Sequence, residues 1–357
     1  MKEHAINERL APLTTTSAFP RRALLRVPLA LGAAATLAAC RRRPAEDRGP
    51  GGPRSPVTAR DLEQVTLRVA DQMNLVRSQL QLSNQLDQTP YRITWAGFHA
   101  GPPLLEALGA DAIDVGAVGD TPPIFAQAAG FPIRIIAAQR VNPAFSAILI
   151  PKGSALRSVG DLRGKRVAFA KASASHYLLL RALAGVGLRL SDIQPLYLTP
   201  NDAQPAFENG HLDAWAVWDP FVANNVLAGA TRLIDGRGLV DGLGFVVSSA
   251  SALADPLRAA ALADHLRRLR AAQTWALAHR DLWRDSFAKL TGLALPVVTD
   301  MFTRFEPHYV TMDAGVRAAE QRVADEFFAG GLLQKRLNVN DVFDRRFEPS
   351  GGATVAL

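Results

Sequence analysis

The sequence predicts an α/β fold of two lobes with a ligand crevice between them and a helical C-terminal part. Three observations carry this prediction. Short apolar runs rich in Val and Ile alternate with helix-patterned runs over residues 65–141, and the same rhythm starts again near Ala147. Such βαβα alternation belongs to α/β domains with mostly parallel sheets. Beyond Leu253 the strand pattern stops, and apolar residues recur at helical spacing. The chain has 357 residues, 48% of them apolar, which is enough for two separate cores. A cleft between two such units is a preferred place for a small-molecule site.

The N-terminal forty residues read as a targeting signal. "RRALLR" (Arg21–Arg26) is followed by the weakly apolar "VPLALGAAATLAA" and then Cys40. A basic region, a short apolar region and small residues before a cut describe a secretory signal. The pair Arg21-Arg22 resembles a twin-arginine export signal, and "LAAC" (Leu37–Cys40) resembles the bacterial lipobox. That resemblance implies cleavage after residue 39 and a lipid on the Cys40 sulfur. Losing residues 1–39 removes five basic and two acidic residues, so the formal charge falls from +7 to +4. This mild excess, with no basic stripe interleaved with aromatics, gives no reason to expect a nucleic-acid partner. Cys40 is the sole cysteine, so the folded part has no disulfide, thiol nucleophile or Cys-ligated metal. No metal and no cofactor is expected. Residues 40–60, rich in Arg, Pro and Gly, read as a flexible tether.

The folded body then runs through predicted elements in order. "VTLRVA" is a strand, "LVRSQLQLSNQL" a helix, "YRITWA" a strand, "GPPLLEALGA" a short helix, and "AIDVGAVG" a strand. It leads into "GDTPPIFAQAAG", where Thr121 is expected as N-cap and Pro122 as the first helical residue. "FPIRIIAAQRV" is another strand. The second run reads "AILIP" strand, "SVGDLRG" short capped helix, "KRVAFA" strand, "SHYLLLRALAGVGL" helix, "IQPLYL" strand, "NDAQPAFENG" helix, "LDAWAVW" strand, "DPFVANNVLAG" helix and "TRLID" strand. "GFVVSSASAL" (Gly244–Leu253) is a last strand before the helical tail, whose longest run is "PLRAAALADHLRRLRAAQTWALAHR". Residues 349–357 read as a disordered tail.

Four stretches carry a family resemblance: "ITWAGFHAGPPLLEALGADAIDVGAVGDTPPIFAQAAG", "SAILIPKGSALRSVGDLRGKRVAFAKASASHYLLLRAL", "DIQPLYLTPNDAQPAFENGHLDAWAVWDPF" and "YVTMD". In this order they resemble the periplasmic aliphatic-sulfonate-binding proteins of ABC importers, within the nitrate/sulfonate/taurine-binding group. The resemblance implies a two-lobed fold of the type II periplasmic-binding kind, with lobe 1 at 61–145 plus 246–348 and lobe 2 at 146–245. It implies a monomer that captures a sulfonate outside the inner membrane. The cargo would pass to an ABC permease and its ATPase subunits, with the membrane held through the Cys40 lipid. Binders of another small anion (taurine, nitrate, a sulfate ester) and enzymes of the same fold are the alternatives.

A sulfonate is a permanent anion with three acceptor oxygens. Its binder needs convergent donors, which a helix N-terminus supplies. "KASASHYLLL" offers such a terminus, with backbone donors from Ala172 to His176 and hydroxyls on Ser173 and Ser175; a plain helix cap is the alternative. The resemblance places the ligand turn at Ser173, Ala174, Ser175 and His176, and leaves His176 either a donor or a polar helix-start residue. In the GDTPP turn two prolines remove amides, so Gly119, Asp120 and Thr121 are expected as a rigid cleft wall, with the Thr121 hydroxyl donating. For the organic half, Trp95 and Phe98 stand at the family's W-x-x-F position. Trp218 is expected in the cleft with Trp215 on its face, core packing being the alternative for each tryptophan. Asp219 beside Pro220 reads first as an N-cap. Gln72 is expected at the cleft mouth and Ser146 at the crossing between lobes. His99 and Pro103 depart from the family's usual Pro and Gln.

Overall fold

Residues 57–348 are described by a computed structural model. The expected export signal, the lipobox with Cys40, most of the expected tether and the tail at 349–357 lie outside the described residues.

Two sheets organise the chain. The first contains β1 (Thr66–Gln72), β2 (Arg92–Phe98), β3 (Val115–Gly119), β4 (Ile133–Arg140), β10 (Leu243–Ser249) and β11 (His308–Val310), in the order β11-β4-β10-β3-β1-β2. The second contains β5 (Ser146–Ile150), β6 (Arg166–Phe169), β7 (Gln194–Tyr197), β8 (Ala214–Trp218) and β9 (Thr231–Asp235), in the order β7-β6-β8-β5-β9. Neighbours β2-β1-β3 and β7-β6-β8 are parallel. The strands that follow each passage between sheets, β5 and β10, run antiparallel to both neighbours. A chain arriving from the other lobe enters the sheet from its cleft edge, so its first strand runs against its two neighbours.

The helices are α1 (Ala59–Leu62), α2 (Leu75–Leu82), α3 (Gly101–Gly109), α4 (Thr121–Ala128), α5 (Ala174–Ala184), α6 (Pro200–Glu208), α7 (Phe221–Leu227), α8 (Ala250–Ala254), α9 (Pro256–Ala278), α10 (Arg280–Thr291), α11 (Leu295–Phe302) and α12 (Ala314–Ala329). Each sheet is covered on both faces, as parallel strands require. One face of the first sheet packs Leu67, Val69 and Val246 against Leu262, Leu266 and Leu269 of α9. Its other face packs Ala70, Ile135 and Val247 with Leu104 of α3 and Val316 of α12.

Several boundaries differ from expectation for local reasons. The tether gives way at α1, because Thr58 and Asp61 form a reciprocal capping box. Helix α2 stops at Leu82 rather than Leu86. Asp120, not Thr121, is the N-cap residue of α4, and Thr121 is its first helical residue. The "ASAL" end of the last expected strand is helical, because the Ser249 hydroxyl caps α8 through Ala252 N. Within the helical tail β11 pairs with β4 as an edge strand. Strand β10 begins at Leu243, so the return to the first sheet falls ahead of residue 246.

The two passages, 141–145 and 236–242, lie side by side. Val141 N donates to Gly242 O at 2.8 Å, and Gly236 N donates to Ser146 O at 3.1 Å. A Cβ on Gly236 would collide with Pro143 O and one on Gly242 with Val141 O, so both positions need glycine; Gly242 also has φ +63°.

Ion pairs join the lobes beside this hinge. Asp219, fully buried at the end of β8, accepts from Arg304 Nε at 3.0 Å, and Arg304 also reaches Asp300 at 2.6 Å. Arg232 of β9 meets the same Asp300 at 2.9 Å. An apolar seam runs parallel to these pairs: Ile124 of α4, Tyr177 of α5 and Phe327 of α12 share one cluster. Removing one partner of a buried pair leaves a charge uncompensated. Arg304→Met is therefore expected to destabilise the fold by about 3 kcal/mol in urea denaturation, and Asp219→Asn in the same chain to restore most of it. A loss for the double variant equal to the sum of the singles would show that the two side chains act independently.

Candidate functional site

A cavity of about 210 Å³ opens between the sheets. It is lined by the C-terminal ends of β1 and β3, the N-terminal end of β10, both passages, the start of α5 and the middle of α9. Neither Lys nor Arg is among the described residues lining it, whose titratable groups are Asp71, Asp120, His265 and Tyr309.

Four helix starts face this space, and the sequence makes them unequal: at α3, whose first residue Gly101 lines the cavity, Pro102 and Pro103 remove two amides. At α2 the Asp71 carboxylate accepts from Val76 N at 3.1 Å and Arg77 N at 2.8 Å, so that terminus already holds an anion of its own. At α4, Pro122 and Pro123 remove two amides and the Asp120 carboxylate stands at the cap. At α5 the amides of Ser173, Ala174 and Ser175 have no hydrogen-bond partner among the described residues. This last terminus has successive unspent donors, no proline in its first turn and no acid in front of it.

The turn that presents these amides is strained. Ala172 adopts φ +60°, which costs a non-glycine residue about 1 kcal/mol. His176 braces it by accepting from Ala172 N through Nδ1 at 3.3 Å. The imidazole is buried against Phe169 and Phe327, with ring centres at 4.7 and 5.0 Å. Burial pushes its pKa down to about 4, helped by the nearby Lys171 charge, so the ring is neutral. His176 is thus a helix-start brace and does not line the cavity.

The serine hydroxyls are not free donors either. Ser173 Oγ donates to Ala170 O at 2.7 Å, which leaves Ser175 to donate to Ser173 Oγ at 2.9 Å. Both protons are spent inside the turn, so the donors left here are backbone amides. Thr121 likewise donates to Asp120 Oδ1 at 2.9 Å and is fully buried. Burial pushes the Asp120 carboxyl up to about 6 despite that bond, and Asp71, also buried, is pushed up to about 7.

Of the residues expected at a site, Gln72, Gly119, Asp120, Ser146, Ser173, Ala174 and Trp218 line the cavity. A Cβ on Gly119 would sit 3.2 Å from the Ala174 Cβ, so glycine lets β3 of one lobe approach α5 of the other. Gln72 Nε2 donates to Ala117 O at 2.7 Å. Ser146 and Trp218 are register partners across β5 and β8, which sets them on one face. Trp95, Phe98, Thr121, Ser175, His176 and Asp219 do not reach the cavity. Trp95 is half-buried on the helix-covered face, with the Arg77 guanidinium 5.6 Å from its ring centre. Phe98 packs in the core on the opposite face. Trp215 is three positions from Trp218, so a strand turns it to the other face, where it packs with Phe207 and Phe221. Asp219 follows a cis peptide's first half: its bond to Pro220 is cis, α7 starts at Phe221, and the carboxylate accepts from Ala223 N. Sequence reading missed Asp71, Gln79, Phe145, His265, Gln273 and Phe305. The one available signal was polar His265 and Gln273 eight positions apart within the apolar face of α9.

A cavity between two such lobes, hinged by paired passages and with a free helix terminus inside, defines the two-lobed periplasmic-binding-protein fold. Residues 103–235 match the NMT1/THI5-like family. The alkanesulfonate-binding protein SsuA from Xanthomonas axonopodis pv. citri, solved bound to MOPS, is 39% identical; the match covers 79% of this chain and 99% of that one, with a TM-score of 0.72. The periplasmic aliphatic sulphonate binding protein SsuA from Escherichia coli is 34% identical over 80% and 94% of the two chains, with a TM-score of 0.70. A relative from Escherichia coli (strain K12) named for binding aliphatic sulfonates is 37% identical over 80% of this chain and 89% of its own length. The chain belongs to the aliphatic-sulfonate-binding protein family.

The strain at Ala172 is testable without touching the amides. Ala172→Gly is expected to raise stability by about 0.5–1 kcal/mol in urea denaturation, the relief of left-handed strain exceeding the entropy gained by the unfolded chain. A loss of stability would mean that the methyl group contributes packing larger than the strain.

Proposed function

We propose that this protein is the extracytoplasmic binding component of an ABC importer and that its cargo is an aliphatic sulfonate. The reading rests on one observation: unpartnered amides at the start of α5 face an apolar cavity that has no cationic side chain. A sulfonate suits this arrangement because its charge is permanent and delocalised over three acceptors. Peptide dipoles can hold it without a counter-ion, as helix termini hold phosphate and sulfate. Ser173 and Ala174, which line the cavity, would supply backbone donors. The Ser146 hydroxyl and the Trp218 indole N–H, which have no partner among the described residues, face the same space. Gly119 lets the lobes close over the head group, and Phe145, Trp218, Phe305 and Leu269 line the space for the carbon chain.

The remaining parts of the reading come with the family. Binding rather than catalysis is supported by relatives named as binding proteins. Export through the Arg21-Arg22 signal, a lipid on Cys40, a monomeric state and delivery to a permease with its ATPase subunits complete the proposal.

Titration with a series of alkanesulfonates, read by tryptophan fluorescence, tests it. Trp218 is the one tryptophan lining the cavity, so the signal should vanish in Trp218→Phe. Ala174→Pro removes one donor at a position whose preceding residue is already extended, at φ −110° and ψ 168°, as proline requires. It should lower sulfonate affinity by about tenfold or more with little change in melting temperature. A flat response to sulfonates with saturation by nitrate would replace the cargo while keeping the importer.

The same site sets a pH dependence. The sulfonate stays charged throughout, whereas Asp120 beside it ionises above about 6 and then repels it. Affinity should therefore rise as pH is lowered through that value, and Asp120→Asn should reduce the slope. An affinity that is constant with pH would remove Asp120 from the anion's surroundings.

A further inference from the structure

The cavity reaches past the cleft edge into the first lobe, and its inner end is not uniformly apolar. His265, Leu269 and Gln273 follow one another at four-residue spacing on α9 and so form one stripe facing the cavity. His265 is 1% exposed, and neither of its ring nitrogens has a hydrogen bond among the described residues; Nδ1 is fully buried. Its charged neighbours on α9 are committed elsewhere. Asp264 accepts from Tyr91 and from Arg267 and Arg268, and Arg268 donates to the carbonyls of Gln85 and Asp87.

Burial lowers the pKa of His265 to about 4, so the ring is neutral at ordinary pH. A neutral imidazole has one N–H to donate and one lone pair to accept with. Leaving both unused when buried is unfavourable, because neither group has recovered the hydrogen bond it made to water. By contrast, the nearby Gln273 is satisfied: its Oε1 accepts from Tyr309 N at 3.0 Å and its Nε2 donates to Gln139 Oε1 at 3.2 Å. The unspent capacity on the α9 stripe is therefore that of His265.

We infer that His265 is a specificity-determining residue: it recognises a neutral hydroxyl-type group on the far end of the ligand, so the preferred cargo is a hydroxylated sulfonate rather than a plain alkanesulfonate. A hydroxyl both donates and accepts, and so matches either tautomer of the ring. A cationic end group is disfavoured, because the ring holds no negative charge. This inference rests on the sulfonate reading of the α5 terminus and adds the second end of the ligand to it.

Isothermal titration of the full chain with matched pairs, an ω-hydroxyalkanesulfonate and the alkanesulfonate with methyl in place of hydroxyl, tests it across graded chain lengths. At the chain length that spans the cavity, the wild-type protein should prefer the hydroxylated member by about tenfold. His265→Leu should abolish or reverse that preference while still binding the plain member, and His265→Gln, which keeps a donor and an acceptor, should retain part of it. A wild-type protein that binds both members equally at every length, or prefers the plain one, overturns the inference and leaves the sulfonate reading standing. So does an unchanged preference in His265→Leu. Failure of every sulfonate to bind overturns the reading of the α5 terminus and this inference with it. The wild-type comparison decides the matter even where a variant fails to fold.

Discussion

The proposed site depends on one constraint, that an anion be held without a cation. Where a salt bridge would supply attraction at any orientation, peptide dipoles act only within the first helical turn and only along their axis. The α5 terminus must therefore be kept free of internal acceptors, aimed into the cavity and approached closely. Each requirement has a residue. The short hydroxyl chain Ser175–Ser173–Ala170 satisfies the turn internally without consuming amides. Neutral His176 braces the left-handed Ala172, and Gly119 lets the facing strand come up to Ala174. The absence of a cation has a consequence for selectivity. Each amide bond to a charged acceptor contributes about 1.5–3 kcal/mol, so the head group alone gives modest affinity, and the carbon chain adds about 0.8 kcal/mol per buried methylene. Discrimination among anions then lies with shape and tail.

The other helix starts illustrate the same physics in reverse. Asp71 accepts two amides at the α2 terminus, and prolines remove amides at the starts of α3 and α4, where Asp120 also stands at the α4 cap. Asp71 and Asp120 are buried, and desolvation raises both carboxyls. The α5 start is thus left with successive free amides and no acid in front of it.

Lobe contact is arranged around this centre. Asp219 follows Trp218, a cavity residue, and its carboxylate is held by Arg304 from the C-terminal part of the chain. The hinge passages, the Asp219–Arg304–Asp300–Arg232 pairs and the α4–α5–α12 apolar seam all link the two sheets, so movement of one lobe acts on the wall that carries Trp218. The C-terminal helices are therefore more than a cover for the first sheet; Arg304 and Phe327 each reach the second lobe.

The sequence by itself determined the alternation of strands and helices and the two-lobed class, because these depend on local periodicity and capping, while the α5 terminus stood out through the family resemblance of a contiguous motif. Ser146 and Trp218 were legible as cleft residues for the same reason, each lying at a strand end. What only the tertiary structure decided was which local groups remain unspent. Ser173 and Ser175 look like donors in sequence, yet Ser173 gives its proton to a carbonyl three residues back and Ser175 gives its own to Ser173 Oγ. Trp95, Phe98 and His176 carry suitable chemistry but lie on covered faces, since one residue of strand or helix phase turns a side chain from cavity to core. Asp219 answers to an arginine 85 positions away, and His265 reaches the cavity from a helix whose own pattern marks it only as helical. Such long-range pairings depend on how elements pack, which no window of sequence contains.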